Sequence, residues 1–226
     1  MTTLLFLRHA NSEGNASGIC SGQIDVNLSE KGRNQAALAA AFIKKHYSVH
    51  AAYASDLRRA IQTAEFIAQA FGIQTVTPDA RLREVCVGEW EGQLWVDIIA
   101  QNPAMYDDWR ELQMHEWQAR PRGSESYEEV LARTTAAIAD IIAQNRGKCV
   151  AIATHGKALR ILNEQWAKTD EMARRFRENE KQKNEYGFWS ASLIAAEYTD
   201  DGEFVRLLEC GRHDYLQTND LKVAVE

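Results

Sequence analysis

Short apolar runs alternate with longer stretches of helical spacing along this chain, and no other feature constrains its fold as much. Leu4 to Leu7 reads as a buried strand, and Ser29 opens a helix in which Leu38, Ala41 and Phe42 recur at helical spacing. Ala51 to Ala54 is a second short strand. Ser55 or Asp56 is placed to cap the helix after it, whose apolar stripe runs Ala60, Ala64, Ile67, Ala68 and Phe71 and stops at Gly72. A third strand is expected around Gln74 to Thr77. After a mixed stretch from Leu94 to Trp117, broken at Pro103, Ser126 or Ser124 opens a long helix through Val130, Ala137, Ile138, Ile141 and Ile142, closed by Gly147. Lys148 to Thr154 reads as a fully buried parallel strand, and a helix from Lys157 carries Leu159, Ile161, Leu162 and Trp166. Glu171 to Lys183 is charge-dense, with Glu171/Arg175 and Arg174/Glu178 four residues apart, and is expected to be a solvated surface helix. Trp189 to Tyr198 and Phe204 to Cys210 pair as a hairpin across Asp200-Asp201-Gly202. This alternation implies an α/β fold, a three-layer α/β/α sandwich with a mostly parallel central sheet.

With 226 residues, 45% of them apolar, the chain can fill a sizeable core, and three prolines with no low-complexity stretch mark no linker. A single domain over residues 1–226 is therefore expected. No apolar run approaches the roughly 20 residues that cross a bilayer, and Met1-Thr2-Thr3 followed so soon by Arg8 and His9 is not a secretory signal. The 26 basic against 32 acidic residues, a net charge of −6, offer no long-range attraction to nucleic acid. Cys20, Cys86, Cys149 and Cys210 are scattered, with no zinc-like spacing, which suits unpaired thiols in a reduced, cytoplasmic setting.

Four segments place ionisable residues just past an expected strand, the rim where open α/β sheets bind ligands. They are Arg8-His9, Ser55 to Ala60, Leu82-Arg83-Glu84 and Thr154-His155-Gly156. Arginine suits phosphate, because its planar fork donates two charge-assisted hydrogen bonds to phosphoryl oxygens. A histidine among such cations is pushed toward its neutral, nucleophilic form, which makes His9 the candidate nucleophile. The loose transition state of phosphoryl transfer spreads charge over three oxygens, so His155 and the arginines are expected to contribute electrostatically. The departing alkoxide needs a proton, and a carboxyl beside a bound phosphate dianion holds one more readily; Glu84 is the candidate donor.

The set Leu5-Phe6-Leu7-Arg8-His9-Ala10, Asn15, Ser55 to Ala64, Leu82-Arg83-Glu84 and Thr154-His155-Gly156 resembles the histidine phosphatase superfamily, the phosphoglycerate-mutase-like fold. The resemblance implies that His9 is transiently phosphorylated, that Arg59 rather than Arg58 is the second phosphate-binding arginine, and that Asn15 contacts phosphate. A local Asx turn is the alternative role for Asn15. Ser21-Gly22 matches a substrate-contacting turn of mutase members, and Gly156 lies in the motif of the second histidine. Gly123-Ser124-Glu125-Ser126 resembles a recurring helix entry of the family. One departure is Ala10, where the family's usual residue is glycine; it matters only if that backbone needs a positive φ or the closest approach to phosphate.

Glu84 is followed by Val85-Cys86-Val87-Gly88-Glu89-Trp90-Glu91-Gly92, a stretch without a cation, and Glu89 and Glu91 would repel a second phosphate if they faced the pocket. The Gly-x-Trp-Glu-Gly pattern looks like the family's phosphatase branch. The expected function is thus a metal-independent phosphomonoesterase acting on a small-molecule phosphate ester, with no cofactor, metal, nucleic acid or membrane. A homodimer is left open. A phosphomutase and a non-catalytic phosphate-binding protein are the alternatives. Residues from about 93 to 122 are expected to form an inserted helical lid, whose Arg110, Arg120 and Arg122 could contact substrate while Trp90, Trp95, Trp109 and Trp117 line it or pack as core.

Overall fold

In the computed structural model of the chain, which describes residues 1–111, 120–183 and 188–216, strand β1 (Thr2–Arg8) runs through the middle of a six-stranded sheet. The others are β2 (Ala51–Ala54), β3 (Val76–Pro78), β4 (Cys149–Thr154), β5 (Leu193–Tyr198) and β6 (Phe204–Arg212), in the order β3-β2-β4-β1-β5-β6. Pairs β1/β4, β2/β4 and β2/β3 are parallel, while β5 pairs antiparallel with both β1 and β6. Only β5 therefore runs against the rest, and the sheet is mostly parallel as the sequence implies.

Alternation along β1 builds both faces. Leu4 and Phe6 point into a core with Ile138, Ile141 and Ile142 of α6 (Tyr127–Gln144) and Leu159, Leu162 and Trp166 of α7 (Gly156–Trp166). Leu5 and Leu7 point the other way, against Ala36, Ala39, Ala40 and Ile43 of α2 (Glu30–His46) and Ile67 of α3 (Arg58–Phe71). The result is the α/β/α sandwich. Helix α8 (Glu171–Lys183) has the bounds expected from the sequence and the Glu171–Arg175 ion pair at 2.5 Å, yet Ala173 is buried and Phe176 stacks on Phe188, so one face is packed. No helix among the described residues is long and apolar enough to cross a membrane.

Several local expectations are corrected. The buried stripe of α2 is Ala36, Ala39, Ala40 and Ile43; Ala41 is exposed, and Phe42 is half-buried where it stacks on Tyr215. Small alanines won that face because α2 packs directly along α3. Helix α3 has Leu57 as its N-cap with no side-chain cap bond, since Asp56 is drawn off into a two-bond pair with Arg83 at 2.7 and 2.6 Å. The third strand begins two residues later than expected, at Val76, and ends at Pro78, a proline tolerated because β3 is the sheet edge. Helix α6 opens at Ser126 with a full capping box to Glu129 and ends at Gln144, three residues before Gly147. The short α1 (Glu13–Ala16) was not anticipated. Between Leu94 and Glu111 lie α4 (Trp95–Gln101) and α5 (Pro103–Glu111), separated where Pro103 interrupts the spacing.

Candidate active site

Register fixes the heart of the site. Arg8 pairs with Thr154 across β1 and β4, so the residue after each strand, His9 and His155, emerges side by side at the carboxyl ends. The His9 backbone N–H donates to the Thr154 carbonyl at 2.8 Å, and the two imidazoles meet edge to face with centroids 5.0 Å apart. Behind His9, Ala191 adopts φ 59° and donates its N–H to the carbonyls of Arg8 (3.1 Å) and His9 (3.3 Å), while its own carbonyl accepts from the Tyr215 hydroxyl. A non-glycine residue is thus held in the left-handed region to buttress this backbone.

His9 Nδ1 lies 2.7 Å from the Ala10 carbonyl oxygen. A carbonyl can only accept, so in the neutral ring the proton sits on Nδ1 and the lone pair on Nε2. That Nε2 accepts from Arg59 Nε at 3.3 Å. Burial pushes the His9 pKa well below the ordinary imidazole value, and the Arg59 and Arg8 charges push it further in the same direction. His155 is lowered likewise, by burial first and then by Arg59, His9, Arg133 and Arg8. Both rings are therefore neutral near pH 7.

The two guanidiniums are anchored differently. Arg59, 2% exposed, donates Nη1 to the Ile24 carbonyl (2.8 Å) and Nη2 to the Gly22 carbonyl (2.6 Å), which clamps the Ser21-Gly22 turn onto the crevice. Gly22 has φ +47°, and an added Cβ would overlap the Glu91 carboxyl, so the turn requires glycine. Arg8 donates Nη1 to the Phe188 carbonyl. Burial lowers both arginine pKa values, and Glu84 opposes the shift. Gly156 lets Arg8 lie close, since a Cβ there would sit 3.2 Å from Arg8 Nε. Thr63, not singled out from the sequence, links the two halves by accepting from the Ala10 N–H (3.0 Å) and donating to the Arg59 carbonyl (2.7 Å).

Glu84 sits at the amino end of α7. His155 is the N-cap there but makes no side-chain cap bond. Glu84 substitutes from another segment: Oε1 accepts from the N–H of Ala158 (3.1 Å) and of its neighbour Val85 (3.0 Å), and Oε2 accepts from the N–H of Lys157 (3.3 Å). The free N–H groups of the helix end thus find their acceptors in this side chain. The ordinary alternative, an ion pair with Arg81 or Arg83, is not what forms, because those arginines pair with Asp79 and Asp140, and with Asp56.

One crevice is lined by Arg8, His9, Arg59 and Glu84 together with Asn15, Ser21, Gly22 and Gly156. His155 is fully buried and is not part of the crevice wall; it touches the site through the His9 ring. Both His155 ring nitrogens, Arg8 Nε and Ser21 Oγ are buried without a hydrogen-bond partner among the described residues, the condition of a site built for a polar ligand. Asn15 makes a capping box rather than an Asx turn: its side-chain oxygen accepts from the N–H (3.1 Å) and Oγ (2.9 Å) of Ser12, the N-cap of α1, leaving its NH2 group as what it can offer the crevice. Ala10 is buried, and Ala191 is the one non-glycine among the described residues with positive φ, so position 10 has no need of glycine.

Other residues of the crevice went unnoticed in the sequence, notably Lys157, Arg160 and Phe188. Arg160 is 5% exposed and lies four residues after Gly156 on α7, a spacing that could have revealed it. Glu89 and Glu91 do not line the crevice, which corrects their expected role in repelling a second phosphate. Glu91 Oε1 accepts from the N–H groups of Gln23 and Val87, both at 3.1 Å, and Glu89 Oε1 from the Arg122 N–H at 3.3 Å, so they fasten loops. Arg120 lies 4.0 Å from Glu129, and neither it nor Arg122 reaches the crevice. Trp95 lines it, while Trp90 is 2% exposed in a side core with Ile98 and Val130. The side chains of Trp109 and Arg110, and Trp117 altogether, lie outside the described residues. Cys20 also borders the crevice, but burial pushes its thiol up to about 12, which makes it inert as a nucleophile.

The model of the family "Histidine phosphatase superfamily (branch 1)" matches residues 4–207. A glucosyl-3-phosphoglycerate phosphatase of Mycobacterium tuberculosis is 37% identical over 140 residues, 62% of this chain and 60% of that protein, so the match spans less than two thirds of that relative. A metal-independent phosphoserine phosphatase of Arabidopsis thaliana is 32% identical over 166 residues, 72% of this chain and 67% of that protein. Among solved structures, the mycobacterial glucosyl-3-phosphoglycerate phosphatase complexed with VO3 superposes with a TM-score of 0.72 at 30% identity, covering 86% of this chain and 92% of that one.

Proposed function

The chain belongs to the histidine phosphatase superfamily, branch 1, and on that premise we propose that it is a metal-independent phosphomonoesterase acting on a small phosphorylated metabolite through a phosphohistidine. The observation that carries this reading is the placement of His9: Nδ1 against the Ala10 carbonyl at 2.7 Å and Nε2 facing a guanidinium 3.3 Å away in a buried crevice, where burial and the arginines lower its pKa. In the first step Nε2 attacks phosphorus as the ester P–O bond breaks. Arg8 and Arg59 face the equatorial oxygens, and His155, with both nitrogens unpartnered, adds a second imidazole to the charge-stabilising set. Glu84 gives the leaving alkoxide its proton. In the second step water attacks the phosphohistidine, passes a proton back to Glu84, and phosphate leaves with His9 neutral again. Asn15, Ser21, Gly22 and Gly156 supply the remaining contacts to the bound ester.

The names of relatives support the substrate class, since two are phosphatases of small phosphorylated metabolites. We read residues 1–226 as one catalytic domain with an insertion near 93–122, of which residues 112–119 lie outside the described residues and Trp95 contributes to the crevice wall. The test is phosphate release from a generic aryl phosphate in the presence of chelator, with a loss of about 10^4-fold or more expected for His9→Ala. A variant that keeps its rate would remove His9 from the mechanism. Phosphate shifted within the substrate instead of released would identify a mutase.

A further inference from the structure

The Glu84 carboxylate is held by α7, while several carbonyls of the backbone that carries it converge on one guanidinium. Arg133, on α6, donates Nη1 to the carbonyls of Arg81 (2.8 Å) and Arg83 (2.7 Å) and Nη2 to the carbonyl of Glu84 itself (3.0 Å). The same group forms a two-bond pair with Glu125, Nε to Oε1 at 2.8 Å and Nη2 to Oε2 at 2.9 Å. Glu125 Oε2 also accepts from the Cys86 N–H at 2.8 Å, so the chain is tied on both sides of residue 84. Gln23, next to the Ser21-Gly22 turn, joins the cluster by donating Nε2 to the Glu84 carbonyl (3.0 Å) and to Glu125 Oε2 (3.3 Å).

We infer that Arg133 is a positioning residue for leaving-group protonation: its hydrogen bonds to the backbone carbonyls of Arg81, Arg83 and Glu84, locked by Glu125, set where the carboxyl meets the ester oxygen. The inference rests on reading Glu84 as the proton donor. Arg133 does not line the crevice and touches no reacting atom. It acts through the backbone, and that geometry matters because a proton donor works only within hydrogen-bond reach, where a misplacement of about 1 Å can cost about 100-fold. A purely structural role would lower turnover of every substrate alike. A positioning role is selective. As the P–O bond breaks and the P–N bond to His9 forms, an alkoxide needs the proton from Glu84, whereas a nitrophenolate departs without it.

The experiment compares kcat/KM for p-nitrophenyl phosphate with that for glycerol phosphate, because kcat/KM reports only on steps up to departure of the alcohol. Glu84→Gln is the reference and should lower the alkyl-to-aryl ratio about 100-fold or more. Arg133→Met should lower the same ratio about 10- to 100-fold, with Arg133→Lys recovering part of the loss. Glu125→Gln should shift the ratio a few-fold in the same direction, and it decides the matter if Arg133→Met does not fold. If Glu84→Gln leaves the ratio unchanged, the proton-donor reading fails and this inference with it. If Glu84→Gln lowers the ratio while Arg133→Met, or Glu125→Gln in its place, depresses both substrates equally, Arg133 has only a structural role and the inference is overturned.

Discussion

The two sides of the crevice are built by different means. On the strand side, the main reacting groups are tied to backbone: His9 to the Ala10 carbonyl, Arg59 to the Gly22 and Ile24 carbonyls, Glu84 to the amino end of α7. On the side of α4, Trp95 reaches the crevice from a helix whose neighbouring apolar side chains stay in solvent, with Leu94 42%, Val96 68% and Ile99 38% exposed. The difference teaches a division of labour. The strand side fixes the reaction by preorganised charge, and the α4 side is free to vary with the ester that enters.

That contrast is broken most easily by Arg59→Ala. Removing one charge-stabilising donor of this kind costs about 10^2 to 10^3 in kcat, and the Ser21-Gly22 turn loses its clamp, so KM for any phosphomonoester should rise as well. Arg59→Lys should recover little, because a single ammonium cannot reach both the Gly22 and Ile24 carbonyls while facing His9. Steady-state kinetics on an aryl phosphate check both statements, and a mutant within threefold of wild type would show that the strand side is not preorganised in this way.

The pH dependence of stability sharpens the comparison at the next level. His9 and His155 have folded pKa values well below the ordinary value near 6.5. The unfolded chain therefore binds protons that the folded chain does not, and folding stability, fully present above the unfolded value, is lost as pH falls below it. Each ring contributes a slope of at most about 1.4 kcal/mol per pH unit in that window. Denaturant unfolding between pH 8 and pH 5 should show this slope in wild type and a flatter one in His155→Phe. Val96→Ser on the α4 side should leave it unchanged, and a His155→Phe slope equal to wild type would count against the burial assigned to these rings.

The smallest expected effects are on the α4 side itself. Val96→Ser should change stability by no more than about 0.5 kcal/mol, as an exposed substitution away from special contacts does. Trp95→Ala should alter KM among different phosphate esters by several-fold while leaving kcat for a small aryl ester close to wild type. Equal losses of kcat on every ester would place Trp95 with the reacting groups instead.

How much of this was legible in the sequence follows the same division. Strands β1 and β4 are buried on both faces and read as unbroken apolar runs, so Arg8-His9 and Thr154-His155 could be placed at their ends, and their convergence followed from parallel pairing. Arg133 could not be found that way. It bonds to the carbonyls of Arg81, Arg83 and Glu84, and a carbonyl is present in every residue, so nothing in the side chains marks the acceptors. The same holds for Glu84 as the cap of α7, a contact across 73 and 74 positions of sequence to Lys157 and Ala158. Asp56 is one of two residues, with Ser55, that local spacing offers as a cap for α3; the two-bond fork of Arg83 is the stronger competitor for it. The α2 stripe failed for a related reason, since helix-on-helix approach favours alanine over the larger residues that hydrophobic spacing alone selects.

If His9 carries the phosphoryl group between the two steps, rapid-quench labelling will capture it there. The protein is mixed with a phosphate ester labelled at phosphorus, quenched in alkali within milliseconds, digested and mapped by mass spectrometry. An alkali-stable, acid-labile phosphoryl group is expected on the peptide containing His9, formed in a burst before steady-state release. Label on His155, or full turnover with no histidine labelled at any time, would contradict it.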